Sequence, residues 1–269
     1  MATPLLNCKA FKLIPYFDLY AIKLGPIRVG IQPLFGAVGI LVAHFLFLRR
    51  TRQWKLDTQL AGWLSFTMVL VGLVGAFLFR WVYLATALRR DPWIWLKTTQ
   101  GAASFGGIAA GLLAAVLFLR IRRVPSGLAW RYLDALASVF PLGWIFGRIG
   151  CSLVHDHPGL RSDSWLAVRY PDAPRWDLAV VEVVFLASLV IPLFIWLARR
   201  SRPPGFFLGL FLTVYGGFRV LLDRLHVDPP RYFGMSVDQL AYGTACLLGA
   251  VIVFRAIRSR VAVLHLTRM

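Results

Sequence analysis

The sequence predicts an all-α polytopic integral membrane protein of about seven transmembrane helices, N-terminus outside and C-terminus cytoplasmic. Three observations predict it. Hydrophobic residues make up 58% of the 269-residue chain and charged residues 16%, against roughly 45–50% and roughly 25% in soluble domains. The apolar residues fall in long uncharged runs of bilayer-spanning length. The basic residues cluster after alternate runs, as cytoplasmic loops do. A water-soluble globule is excluded, and so is a disordered chain, which needs low hydrophobicity. A net charge of +18 would suggest nucleic acid in a soluble protein. In so apolar a chain it reads as basic loops facing a lipid bilayer, with no nucleic-acid partner.

The elements follow in chain order, as one membrane domain over 1–269. Residues 1–28 read as an outer interfacial arm: Phe11, Ile14, Tyr16, Phe17 and Tyr20 interleave with Lys9, Lys12 and Lys23, a pattern suited to a membrane surface. Pro4, Pro15 and Pro26 interrupt it, so it is not read as a signal peptide. A seven-helix core spans 29–258. Runs 29–48, 58–79 and 101–119 contain no Lys, Arg, Asp or Glu. Runs 135–147, 183–198, 203–218 and 239–254 are shorter, and three of them stop at Arg148, Glu182 or Arg219. Extension past each charge restores a spanning length of ~20 residues. Basic clusters at Arg49, Arg50, Arg52 and Lys55, at Arg120, Arg122 and Arg123, and at Arg199, Arg200 and Arg202 follow the first, third and fifth runs. A cytoplasmic tail covers 259–269. The longest connection, 155–176, lies outside with Pro158, Pro171 and Pro174. Most tryptophans, Trp95 among them, sit near the predicted helix ends, as an aromatic belt would.

Chemistry is expected where polar groups stand at membrane depth, since a charge at the bilayer centre costs about 2.5–3.5 kcal/mol on insertion scales. The stretch Gly147-Arg148-Ile149-Gly150-Cys151 through His155-Asp156-His157-Pro158-Gly159 closes the fourth helix. Guanidinium is a bidentate phosphate partner, and two imidazoles beside a carboxylate can supply an acid or a base. The bland alternative is an arginine snorkelling beside a turn. Tyr215, Arg219 and Asp223 are spaced i, i+4, i+8 and share a helix face, with Asp228 and Arg231 following; a structural Arg219–Asp223 ion pair is the alternative there. Gly106, Gly107 and Gly111 read as helix packing. Glu182 reads as a partner for a neighbouring helix or arginine. Cys151 with the paired histidines is too loosely spaced for a metal motif, and no metal or cofactor is expected. Three scattered cysteines make no disulfide framework.

These segments resemble the prolipoprotein diacylglyceryl transferase family over nearly the whole chain. Gly147-Arg148-Ile149-Gly150 is similar to the start of the family signature Gly-Arg-x-Gly-Asn-x-x-Asn-x-Glu-x-x-Gly, with Asp156 on its glutamate and Gly159 on its last glycine. Tyr215-Gly216-x-Phe218-Arg219-x-x-x-Asp223 is similar to the family's Tyr-Gly-x-x-Arg-Phe-x-x-Glu, and Arg175…Glu182 falls on its Arg-His-Pro-Ser-Gln-Leu-Tyr-Glu run. The family's two asparagines are here Cys151 and Val154, and Phe105 stands where its helix-three histidine does.

The resemblance implies a bacterial inner-membrane enzyme of lipoprotein biosynthesis, with its active site on the periplasmic side. It would transfer a diacylglyceryl group from phosphatidylglycerol to the lipobox cysteine of a prolipoprotein signal segment. Arg148, Gly150, Gly159, Tyr215 and Arg219 would then bind phosphatidylglycerol. His155 or His157, oriented by Asp156, would serve the catalytic base role, with Arg219 and Asp223 completing the catalytic set. Two alternatives are a non-catalytic relative that binds anionic phospholipid or signal segments, and a lipid transferase with another acceptor.

Overall fold

The computed structural model describes residues 13–17, 19–88, 91, 93, 104–227 and 231–266. Cys8, Lys9, Phe11 and Lys12 of the arm, Trp95, Gly101 and Asp228 lie outside the described residues. The helices are α1 (Ile31–Gln53), α2 (Thr58–Leu88), α3 (Ser104–Ile121), α4 (Ser126–Val154), α5 (Leu178–Leu197), α6 (Phe206–Leu222) and α7 (Val237–Leu266). Among the described residues, all but α3 meet the length and apolarity needed to cross a membrane; the apolar part of α3, Phe105–Ile121, is shorter. The chain is a polytopic helical membrane protein. The helices run through the charges at which the apolar runs stop: Arg148 lies inside α4, Glu182 inside α5 and Arg219 inside α6. The 259–269 segment, expected as a tail, is helical through Leu266.

Glycines set the helix pairs, because without a hydrophobic drive between helices in lipid, close backbone approach carries the packing. A Cβ on Gly39 of α1 would lie 2.5 Å from the Gly143 carbonyl of α4. A Cβ on Gly107 of α3 would lie 3.2 Å from the Gly72 carbonyl of α2, and one on Gly209 of α6 would lie 2.9 Å from the Gly249 carbonyl of α7. The α4 helix is the most buried of the spanning helices, while α1 and α7 present large side chains such as Leu41, Phe45 and Leu247 outward. An α5 turn of π-helix at Leu186–Val190 precedes Pro192. At the basic ends of α1 and α3, Lys55 and Arg123 adopt left-handed φ of 54° and 52°. There Leu56 N–H donates to the Thr51 carbonyl at 2.9 Å and Val124 N–H to the Leu119 carbonyl at 3.0 Å. These are left-handed C-caps that satisfy the last carbonyls.

The connections are less purely helical than expected. The 155–176 loop carries strands β4 (Pro158–Arg161) and β5 (Ala167–Arg169), followed by β6 (Pro174–Asp177). With β1 (Ile14–Pro15) they form a four-stranded sheet in the order β1-β5-β6-β4. The arm adds a hairpin of β2 (Ala21–Leu24) and β3 (Ile27–Gly30) ahead of α1, and β7 (Arg231–Tyr232) pairs with β8 (Met235–Ser236) before α7. This β layer covers the end of the bundle at which α4 stops and α5 starts.

Candidate functional site

Four helices bring ionised side chains to one buried point. Glu182, on the first turns of α5, is fully buried. Its Oε1 lies 2.7 Å from Arg148 Nε of α4, and its Oε2 accepts from Arg219 Nη1 of α6 at 3.0 Å. Tyr215, one turn before Arg219, donates its hydroxyl to Glu182 Oε1. Trp144, one turn before Arg148, donates its indole N–H to the Tyr215 hydroxyl at 2.6 Å. Arg219 Nη2 also reaches Asp238 of α7 at 3.0 Å, and its guanidinium carbon sits 4.9 Å above the Tyr242 ring. Burying an ion pair is tolerable only when further hydrogen bonds complete it, and the i, i+4 pairs Trp144/Arg148 and Tyr215/Arg219 supply them. Even so, among the described residues Arg219 Nε and the Tyr242 hydroxyl are buried without a hydrogen-bond acceptor. Buried unsatisfied donors cost about 1–3 kcal/mol each, so the cluster holds spare capacity for an anionic ligand. The buried trio Arg148, Arg219 and Glu182 carries one excess positive charge.

Beneath this cluster lies a cavity of about 410 Å³. Gly147 and Trp144 line it beside the cluster, and Gly72, Gly107, Phe140 and Phe211 continue an almost wholly apolar wall. Gly147 is open: nothing lies within 4 Å of where its Cβ would be. His44 and Ser65, hydrogen-bonded at 2.7 Å, are the polar pair in the wall. The arrangement places a cationic polar head beside an apolar cavity, a pairing that suits an amphiphilic anion.

The remaining expected site residues separate from this centre. His155 ends α4 in the left-handed region, φ 51°, so the chain reverses there and Asp156 points away from its ring. Asp177, not Asp156, orients His155: its Oδ2 meets Nδ1 at 2.6 Å. Phe17 N–H donates to the other ring nitrogen at 3.2 Å, and Tyr16 stacks on the ring at 4.7 Å. Both nitrogens are engaged, and His155 fastens the arm to the four-stranded sheet. The Tyr170 hydroxyl donates to the same Asp177 oxygen at 3.0 Å; burial and that carboxylate hold its phenol well above the ordinary range. Asp156 pairs with His157, and Gln32 Nε2 donates to Asp156 Oδ2 at 2.9 Å. Asp223 does not pair with Arg219; it accepts from Ser236 at the start of α7. Gly150 lets α1 approach, since a Cβ there would lie 2.8 Å from Phe35 Cβ, and a Cβ on Gly159 would lie 2.8 Å from the Leu225 carbonyl. Arg175 turns outward to Asp172 and holds that carboxyl below its usual range.

Sequence reasoning did not single out Asp177, Asp238, Trp144, Gln32 or Tyr242. Asp177 had a legible signal: an aspartate just before an apolar run is an N-cap, and it accepts from Ala179 N–H at 2.9 Å and Val180 N–H at 3.1 Å. The others meet across helices, and single-chain spacing carries no sign of that.

Comparison with known proteins gives concordant matches. The model of the family described as prolipoprotein diacylglyceryl transferase matches residues 19–255. The chain is 32% identical to the phosphatidylglycerol–prolipoprotein diacylglyceryl transferase of Chromohalobacter salexigens, over 85% of this chain and 86% of that one. It is 28% identical to the protein of the same name from Mannheimia succiniciproducens, over 94% and 98%. A further match of that name, from Vibrio atlanticus, is 29% identical over 91% of each chain.

Proposed function

The chain belongs to the prolipoprotein diacylglyceryl transferase family, and from that premise we propose that it transfers the diacylglyceryl group of phosphatidylglycerol to a prolipoprotein cysteine. It is an enzyme of bacterial lipoprotein maturation, seated in the inner membrane. The observation that carries the site assignment is the pairing of Arg148 and Arg219 on one buried carboxylate at the head of an apolar cavity. The lipid phosphate sits at the two guanidinium groups, and the acyl chains enter the cavity below. As the glyceryl carbon–oxygen bond breaks, negative charge develops on the leaving phosphate. Donors fixed in advance against such charge are worth roughly 10²–10³ in rate each. Glu182 is a positioning residue, holding both guanidinium groups, with Tyr215 and Trp144 completing its hydrogen bonds.

In the finer reading, α1 to α7 are seven spans, and the N-terminus and the site face the periplasm. The basic clusters after α1, α3 and α5 support it, because cytoplasmic loops concentrate Lys and Arg. The acceptor cysteine of the lipobox then approaches from the outer side, past the β layer.

The test is purified protein in phosphatidylglycerol-containing micelles with a lipobox peptide, read by mass spectrometry. The peptide gains the diacylglyceryl mass with wild type and none with Arg148→Ala. Phosphatidylglycerol binding without any product would favour a binding protein and overturn the transferase assignment.

A further inference from the structure

The outer end of α4 holds a second constellation, built from residues that the phosphate site does not use. Cys151 occupies the last turn of α4, and the left-handed His155 folds Asp156 and His157 back over it. One ligating atom from each of Cys151, Asp156 and His157 lies within 4.8 Å of the other two. Cys151 is buried, whereas Asp156 and His157 are partly open to the outer surface. The sulfur already draws hydrogen-bond donors: Gln32 Nε2 at 3.4 Å, shared with Asp156 Oδ2 at 2.9 Å, and Arg148 Nη1 at 3.7 Å. The Gln32 amide thus bridges sulfur and carboxylate, so the two acceptors converge on one point.

We infer that Cys151, Asp156 and His157 form a zinc-binding site whose open fourth position takes the acceptor cysteine sulfur. A mixed sulfur, nitrogen and oxygen set suits zinc, since magnesium and calcium take all-oxygen sets. Three protein ligands with one open position is the pattern of catalytic rather than structural zinc. Charge agrees as well. One thiolate and one carboxylate neutralise the dication, and the adjacent Arg148 is ion-paired to Glu182.

The inference rests on the transferase reading and supplies what that reading lacks, a means of deprotonating the acceptor thiol. His155 has both ring nitrogens engaged, and Phe105 packs on Tyr242 and Phe79. A thiol bound to zinc is deprotonated outright, its proton passing to water. The bound sulfur then forms a bond to the glyceryl carbon as that carbon's bond to the phosphate oxygen breaks. The electron pair leaves with glycerol phosphate, which carries two negative charges towards Arg148 and Arg219. No oxidant or reductant enters. Because Arg148 touches Cys151, nucleophile and leaving group meet at one guanidinium.

The test uses the full chain in detergent, loaded with zinc or cobalt and freed of excess. Wild type should retain about one zinc per chain; Cys151→Ser and the double variant Asp156→Asn/His157→Ala should retain none while keeping the wild-type melting profile without metal. Cobalt-loaded wild type should show a thiolate charge-transfer band, absent in Cys151→Ser. That band should intensify with a lipobox peptide and stay unchanged with its Cys-to-Ser counterpart. Equal zinc in wild type and variants would overturn the inference. So would full lipid transfer by chelator-treated, metal-free wild type, which would leave the transferase reading intact. Zinc-loaded protein that binds the peptide sulfur but transfers no lipid would sink the transferase reading instead.

Discussion

Glu182→Gln is the most revealing single change, because it keeps the side chain's volume and removes only its charge. The carboxylate holds Arg148 at 2.7 Å and Arg219 at 3.0 Å, and is fully buried. Without it two buried guanidinium groups face each other, relieved among the described residues by Asp238, whose side chain is 21% exposed at the rim. Removing one partner of a buried ion pair costs about 3–5 kcal/mol. At roughly 2–4 °C per kcal/mol for a chain of this size, the melting midpoint should fall by roughly 10 °C. Thermal unfolding in detergent, followed by circular dichroism, measures this. The double variant Glu182→Gln/Arg219→Met separates a held pair from incidental proximity. With one cation removed, its loss should be smaller than the sum of the two single losses, since coupled residues depart from additivity. An unchanged midpoint in Glu182→Gln, or strict additivity, would refute the shared-carboxylate account.

Three further outcomes follow from the same geometry. Asp134 of α4 accepts from the Gly205 and Leu208 amides at 2.7 Å and 3.0 Å and so caps α6 from another helix. Asp134→Ala should lower stability by about 1–2 kcal/mol, read as a lower midpoint in the same melt. His155→Ala should free the arm, and a loss of about 1 kcal/mol would speed amide exchange at Phe17 roughly fivefold; unchanged exchange would mean that the arm is held elsewhere. Tyr170 has its pKa raised in the folded protein by burial and Asp177. The stability this contributes is fully present below the unfolded tyrosine value of about 10 and is lost as pH rises beyond it. Tyr170→Phe should therefore flatten the alkaline decline seen in urea melts, whereas an identical decline would contradict it.

Much of this was legible in the sequence, and what was not has physical reasons. Apolar runs revealed the helices because lipid demands them, and the i, i+4 spacing of Tyr215 and Arg219 put both on one face. The charges that ended the runs at Arg148, Glu182 and Arg219 proved to be one cluster, which no local pattern states. Of the two histidines expected beside Asp156, His157 pairs with it, whereas the left-handed His155 meets Asp177 from the start of α5 instead, a partner that adjacency in sequence does not suggest. The four-stranded sheet escaped notice because strands of two to four residues, such as β1 and β4, are too short to show alternation. The glycine contacts of α1 with α4 were invisible for a related reason: Gly39 and Gly143 lie far apart in the chain and carry no motif of their own.

The central claim is that Arg148 and Arg219 neutralise charge developing on the leaving phosphate. It is tested most directly by comparing phosphatidylglycerol with an analogue whose bridging oxygen at the glyceryl carbon is sulfur. Thiophosphate leaves more readily and needs less neutralisation. On the natural lipid, Arg148→Ala should lose at least roughly 10²-fold in transfer rate, and on the sulfur analogue markedly less. The same loss on both substrates would mean that the arginine merely holds the lipid, and would contradict the account.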